Sequence, residues 1–102
     1  MRRVRLSKSF LDQLDMLLAQ GYPQFGDRVV REKRDRVFDM IENHIARYPR
    51  IEPDPDLNLC IYPVLRTPFV LIYDYDDDEV RVHFVLNKRA DRTELDPSSA
   101  EW

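Results

Sequence analysis

The sequence predicts an α+β fold in the order β-α-α-β-β-β, with a helical hairpin packed on one face of a small antiparallel sheet. Three observations lead to this prediction. Two segments in the first half of the chain repeat apolar residues at helical spacing. Residues 69–86 read as two strands joined by an acidic turn. With 102 residues and 43% hydrophobic content, the chain is long enough to bury one core.

A short strand is predicted first, because arginines alternate with apolar residues over residues 3–6. Ser7 or Ser9 can then cap the first helix through its hydroxyl oxygen. We expect this helix to end at Gly21, with a turn at residues 22–23, because glycine followed by a nearby proline is typical of a helix end. The predicted apolar face of this helix consists of Phe10, Leu11, Leu14, Leu17 and Leu18.

A second, longer helix is predicted from its cap at Asp27 to Pro49. Residues 49–56 contain several prolines and read as an extended loop. The next strand is predicted over Leu57 to Leu65, and Pro63 places it at a sheet edge or next to a bulge. The predicted buried face of the second helix consists of Val30, Val37, Phe38, Ile41, Ile45 and Tyr48.

The last two strands form the centre of the predicted sheet. Phe69 to Tyr75 is almost unbroken apolar sequence, as is typical of a central strand. After the turn at residues 76–78, the following strand alternates, so we expect one face to carry Val80, Val82, Phe84 and Leu86 and the other to carry Arg81 and His83.

Exposed cations at a rigid strand end are candidates for function. Three basic residues, Lys88, Arg89 and Arg92, follow the last predicted strand and so lie at one edge of the sheet. A fourth, Arg66, lies just before the strand that begins at Phe69. The predicted target-binding residues are therefore Arg66, Lys88, Arg89 and Arg92. We expect one domain over residues 1–95 and a tail over residues 96–102, which is loose unless Trp102 packs against the domain.

Charge is unevenly distributed along the chain, whose net charge is −3. Residues 1–50 carry +4 and residues 51–102 carry −7. A net-acidic chain is a poor general binder of nucleic acid, whose phosphates require cations, and it suits a protein partner better. The basic residues between 28 and 36 are interleaved with acids and read as a solvated helix face.

The remaining composition excludes several classes of protein. Cys60 is the single cysteine, so no internal disulfide can form, and a cytoplasmic location is expected. The apolar runs are too short for a membrane span, so no membrane partner is expected. No cluster of histidines and cysteines predicts a metal site, no glycine-rich loop predicts a nucleotide cofactor, and no catalytic residue is predicted.

Three segments together resemble the RelE/ParE superfamily of type II toxin–antitoxin toxins, and its ParE-like members in particular. They are Pro49 to Ile51, the strand FVLIYDY and the ending VHFVLNKRAD. The resemblance extends from Val4 to about Leu95. It implies a growth-inhibiting toxin of the plasmid-stabilisation kind, which poisons a protein target such as DNA gyrase. It also implies a cognate antitoxin that neutralises the toxin in a hetero-oligomer.

The RelE-type members of the superfamily are ribosome-dependent mRNA endonucleases, and they bring a strand arginine and a C-terminal tyrosine to the message. The resemblance places Val70 and Leu95 at these positions, and neither side chain can donate a hydrogen bond or move a proton. Arg89 matches a basic residue of that site. We therefore favour the interpretation that the chain is ParE-like and acts without an enzymatic activity. An mRNA endonuclease and an inactive toxin-like binding domain stay as alternatives.

Overall fold

A computed structural model of the chain describes residues 2–92 and 95–102. A four-stranded sheet packs against a helical hairpin, which confirms the predicted α+β class. The elements are β1 (Arg3–Leu6), α1 (Lys8–Met40), a π-helical turn (Ile41–Ile45), β2 (Cys60–Pro63), β3 (Phe69–Tyr75), β4 (Glu79–Asn87) and a short 3-10 helix (Pro97–Ser99). Within these described residues, no helix combines the length and apolarity that a membrane crossing requires.

Gly26 divides α1 into two arms. Its backbone (φ 78°, ψ 173°) leaves the helical region for one that is essentially restricted to glycine. Phe10 and Phe38 would lie about 42 Å apart along a straight helix, yet their ring centroids are 6.2 Å apart, so the arms fold back on each other. The predicted helix end at Gly21 was wrong. The helix continues through Pro23, and the chain reverses where the backbone conformation demands a glycine.

Ser7 joins the start of α1 to the sheet. Its Oγ accepts a hydrogen bond from the Phe10 N–H (2.8 Å) and donates to the His83 carbonyl (2.6 Å). The predicted cap is thus confirmed at Ser7. The buried residues of α1 are Phe10, Leu14, Leu18, Val30, Val37 and Met40.

Two apolar residues of the predicted helix faces are exposed. Leu11 lies beside the buried stripe of the first arm. Tyr48 follows the π-helical turn, where the helix has already ended, and 76% of its surface is exposed.

The strand order in the sheet is β1-β4-β3-β2. β3 runs antiparallel to both neighbours, whereas β1 pairs in parallel with β4. The sheet is therefore mixed, and the prediction of an antiparallel sheet was wrong for β1, which is separated from β4 by the helices, β2 and β3 rather than by a tight turn. The bounds predicted for β3 are confirmed. β2 is shorter than predicted and forms an edge strand that ends at Pro63, as its proline indicates.

A β-bulge in β4 reverses its pattern of side chains at His83. Ile72 pairs with Phe84 and Tyr73 pairs with Val82, so His83 is the additional residue. Residues before and after a bulge change face. Val80, Val82 and Val85 consequently face the helices, while Phe84 and Leu86 lie on the second face of the sheet. The prediction that Phe84 and Leu86 share a face with Val80 and Val82 was wrong for this reason.

The second face of the sheet has its own apolar cluster of Leu59, Ile72 and Phe84. Leu95 and Ala100 pack against this cluster. The segment 95–102 therefore lies across the face of the sheet opposite the helices, and we call it the strap. The division of the chain into a domain (1–95) and a tail (96–102) stays a prediction.

Candidate partner-binding groove

A groove of about 700 Å³ opens between the tip of the helical hairpin and one end of the sheet. Leu17, Val30 and Phe69 are among the apolar residues that line it. Three cationic side chains line the same groove: Lys33, Arg66 and Lys88. An apolar groove with cations along its sides is suited to an amphipathic, acidic segment of another protein.

Arg66 is held in the groove by the turn between β2 and β3. Its backbone has a positive φ of 62°, in a region that non-glycine residues rarely adopt. The buried hydroxyl of Thr67 fixes the turn, since it donates to the Val64 carbonyl (2.9 Å) and accepts from the Phe69 N–H (3.1 Å). Non-glycine residues in such conformations are concentrated at functional sites, where the surrounding structure enforces them.

Lys88 enters the groove because it directly follows the paired end of β4. Its N–H donates to the Pro68 carbonyl (2.7 Å), which brings it beside the turn that carries Arg66. Asn87 Oδ1 accepts from the N–H of Arg89 (2.9 Å) and so fixes the next cation in the same turn. Arg89 is exposed and lies beside the groove rather than among its lining residues.

Arg92 lies elsewhere. It lines a different cavity of about 410 Å³, together with Asp54, Asp56 and Leu57. The structure thus brings Arg66 and Lys88 together, places Arg89 next to them and separates Arg92. The target-binding role of all four stays a prediction.

Lys33 is the groove residue that the sequence analysis missed. Its ammonium lies 4.0 Å from the ring centroid of Phe25, in a cation–π contact between the two arms of the hairpin. The sequence assigned Lys33 to a solvated helix face, because its neighbours alternate in charge. No local signal separates it from those neighbours, since the break at Gly26 is what turns Lys33 toward the groove.

The acidic hairpin between β3 and β4 is neutralised internally by Arg81. The guanidinium contacts carboxylate oxygens of Asp74, Asp76 and Glu79, each at 2.9 Å. The hydrogen bonds to these carboxylates raise the pKa of Arg81, and the bond to Asp74 has the largest effect. The bond from Arg81 and those from the N–H groups of Glu79 and Asp78 lower the pKa of Asp76 to about 2. These carboxylates therefore serve the fold.

Two side chains that are capable of acid–base chemistry, His83 and Tyr73, lie away from the groove. His83 Nε2 is 3.0 Å from Asp74 Oδ1, on the strap side of the sheet. Tyr73 is fully buried and donates to the Pro49 carbonyl (2.9 Å), and burial raises the pKa of its hydroxyl. Among the described residues that line the groove there is no histidine, tyrosine or carboxylate. The groove therefore offers apolar surface and cations to a partner.

Val70 and Leu95 both occupy packing positions. Val70 on β3 is 5% exposed, and Leu95 contacts the apolar cluster of the second face. Their aliphatic side chains are thus accounted for by packing.

The three-dimensional structure is similar to a solved one. A chain of the structure described as the chromosomal ParDE TA system from P. aeruginosa superimposes with a TM-score of 0.71 and 11% sequence identity. The match covers 85% of the present chain and 96% of that one. The chain therefore shares the fold of a chain of that ParDE system, and the resemblance seen in the sequence is confirmed at the level of the fold. No protein-family model matches the sequence, and no curated protein matches it significantly.

Proposed function

We propose that this protein is the toxin of a ParE-like type II toxin–antitoxin pair, which inhibits growth by binding and poisoning a protein target such as DNA gyrase. A cognate antitoxin neutralises it in a hetero-oligomer. The observation that carries this proposal is the fold shared with a chain of a ParDE system over most of both chains. The location in this proposal is the cytoplasm, where gyrase and its DNA are.

The groove supports a neutralising partner at the same end of the molecule as the predicted target-binding cations. A disordered segment with an apolar face and carboxylates would fold against Leu17 and Phe69 while pairing with Lys33, Arg66 and Lys88. Such a segment would cover the cations and so block access of the target. Neutralisation by occlusion requires no chemical change in the toxin.

The chemistry of the groove favours poisoning over mRNA cleavage. Cleavage of RNA through its 2′-hydroxyl needs a base, an acid for the leaving oxygen and donors for the developing phosphate charge. The groove supplies cations, but its described lining contains no histidine, tyrosine or carboxylate to serve as the base. Val70 and Leu95 supply none either, since both side chains are hydrocarbon.

A pulse of expression without antitoxin tests the proposal. We expect growth and DNA replication to stop while abundant transcripts stay intact in primer extension, and we expect the purified protein to inhibit supercoiling by gyrase. Codon-phased cuts in ribosome-bound messages would instead establish the endonuclease. Normal growth with neither effect would establish an inactive binding domain.

The antitoxin part is tested separately, by coexpression of the small protein encoded in the adjacent reading frame. We expect that protein to restore growth and to purify with the toxin as a complex. If the neighbouring protein does neither, neutralisation by occlusion is contradicted. The result of the growth assay would still stand on its own.

A further inference from the structure

The strap is held on the second face of the sheet by contacts of three kinds. The first is apolar, because Leu95 and Ala100 pack against Leu59, Ile72 and Phe84. This face lies opposite the helical hairpin and is separate from the residues that line the groove.

The second kind of contact holds an aromatic ring. The indole of Trp102 makes two contacts: the guanidinium of Arg5 lies over it, 4.9 Å from the ring centroid, and the imidazole centroid of His83 is 4.9 Å from the indole centroid. The two rings meet edge to face at 86°. A cation over the ring and a second ring in edge-to-face contact form a seat that favours an aromatic side chain.

The third kind of contact recognises main chain and charge. The carbonyl of Glu101 accepts hydrogen bonds from the N–H groups of Lys8 (2.6 Å) and Ser9 (3.4 Å). These groups lie in the first turn of α1, where an N–H has no partner within the helix. The N–H of Glu101 donates to Ser9 Oγ (2.9 Å). Its carboxylate lies 3.8 Å from the ammonium of Lys8. Two adjacent side chains of the strap, the carboxylate of Glu101 and the ring of Trp102, are thus each contacted by side chains of the domain.

None of the eight residues of the strap is buried, and Trp102 itself is 45% exposed. A segment that leaves so much of itself in water is bound as a surface peptide is bound, rather than as part of a core. Beneath it, the Nδ1 atom of His83 is buried without a hydrogen-bond partner. The strap therefore fills the site without satisfying every polar group in it.

We propose that the second face of the sheet is a peptide-binding site, that the strap is its internal ligand, and that a partner protein with an exposed acidic–aromatic pair displaces the strap. The seat formed by Arg5 and His83 selects the aromatic side chain. The ammonium of Lys8 pairs with the carboxylate of the acidic residue before it, and the first N–H groups of α1 bind the main chain of that residue. The site is distinct from the groove and does not depend on the function proposed for it.

The test uses the full chain with Trp102→Ala and a fluorescein-labelled peptide with the sequence of the strap, LDPSSAEW. We expect fluorescence anisotropy to give at least tenfold tighter binding to Trp102→Ala than to the unaltered chain, in which the site is occupied. A peptide ending in Glu-Ala should bind at least tenfold more weakly. Failure of the folded variant to bind, or equal binding to both chains, would overturn the proposal.

A second pair of variants locates the site. In the Trp102→Ala background, Arg5→Ala should weaken peptide binding at least fivefold, because it removes the cation from the aromatic seat. Arg3→Ala is the matched control, since Arg3 is also exposed and lies two residues away on the same face of β1. Equal effects of the two variants would overturn the assignment of the seat.

A third measurement leaves the protein unaltered, because Trp102 is the single tryptophan of the chain. The competitor is an unlabelled strap peptide that ends in Glu-Phe and so contains no tryptophan. An excess of it should shift the emission of Trp102 to the red and increase the quenching of that emission by acrylamide. An unchanged spectrum at a hundredfold excess over the concentration that saturates Trp102→Ala would contradict displacement.

Discussion

At the scale of single residues, Arg81 is the counterion of the acidic hairpin between β3 and β4. One guanidinium contacts three carboxylates, and Asp76 additionally accepts from two backbone N–H groups in the turn. Five acidic residues between positions 74 and 79 would otherwise repel one another where two strands must pair. The acidic cluster is therefore a folding element with its own counterion.

The lowered pKa of Asp76 makes stability depend on pH in a defined window. Its charged form favours the folded state, so its contribution is complete above the unfolded pKa near 4 and is lost as the pH falls toward about 2. We expect Asp76→Asn to lower the melting temperature at pH 7 and to flatten its decline between pH 4 and pH 2. Asp77→Asn is the control, because Asp77 lies in the same turn but is not among the contacts of Arg81. This variant should show the same decline of the melting temperature between pH 4 and pH 2 as the unaltered protein.

Tyr73 supports the long loop before β2 from inside the core. Its hydroxyl is buried and donates to the Pro49 carbonyl. Tyr73→Phe should lower the free energy of unfolding by about 1–2 kcal/mol, because the buried carbonyl loses its partner. Urea denaturation measures this change. Tyr75→Phe alters a partly exposed ring on the same strand and should cost less than half as much; equal costs would contradict a specific role for the Pro49 contact.

At the scale of elements, the helical hairpin depends on one backbone conformation. A Cβ atom at Gly26 would meet no heavy atom within 4 Å, so the cost of Gly26→Ala is backbone strain alone. We expect a loss of about 1–3 kcal/mol in the free energy of unfolding.

Gly21→Ala is the matched control within the same helix. Its backbone is helical and its Cβ would lie 3.4 Å from Val30, so we expect a change between zero and a gain of about 1 kcal/mol. A larger loss at Gly21 than at Gly26 would show that the hairpin turns elsewhere.

The elements that were predictable carry strong local patterns. The apolar run of β3, the capping hydroxyl of Ser7 and the edge proline of β2 each have a local physical cause that the sequence contains. The bulge at His83 was not predictable, because an inserted residue looks like ordinary alternation until the partner strand is known. The parallel pairing of β1 is likewise set by distant residues.

The same distinction applies to the groove. Lys88 and Arg66 were found because each lies in a turn next to a well-marked strand. Lys33 was missed, and Arg92 was placed with the others, because only the folded positions of the hairpin and of the loop at residues 54–57 separate them.

At the scale of the whole molecule, the groove and the strap occupy different surfaces, so a partner at one should leave the other accessible. For the groove, we expect Arg66→Gln with Lys88→Gln to weaken binding of the proposed antitoxin about tenfold and to reduce the dependence of this binding on salt. Calorimetry at two salt concentrations measures both effects.

Arg28→Gln removes one exposed charge outside the groove and should change the affinity by less than twofold. A comparable loss in this control would mean that net charge, rather than the groove, governs the association.

The parallel pairing of β1 with β4 has a consequence for the newly made protein. Arg3 lies opposite Glu79, and the first strand finds its neighbour only when the last strand exists. At about 5–20 residues per second, a ribosome needs several seconds to synthesise the residues between them. During that interval β1 has no strand to join, and β3 lacks its central neighbour. A half-made chain therefore has neither the finished sheet nor the groove at its end, and the surface proposed to bind partners forms only late in translation.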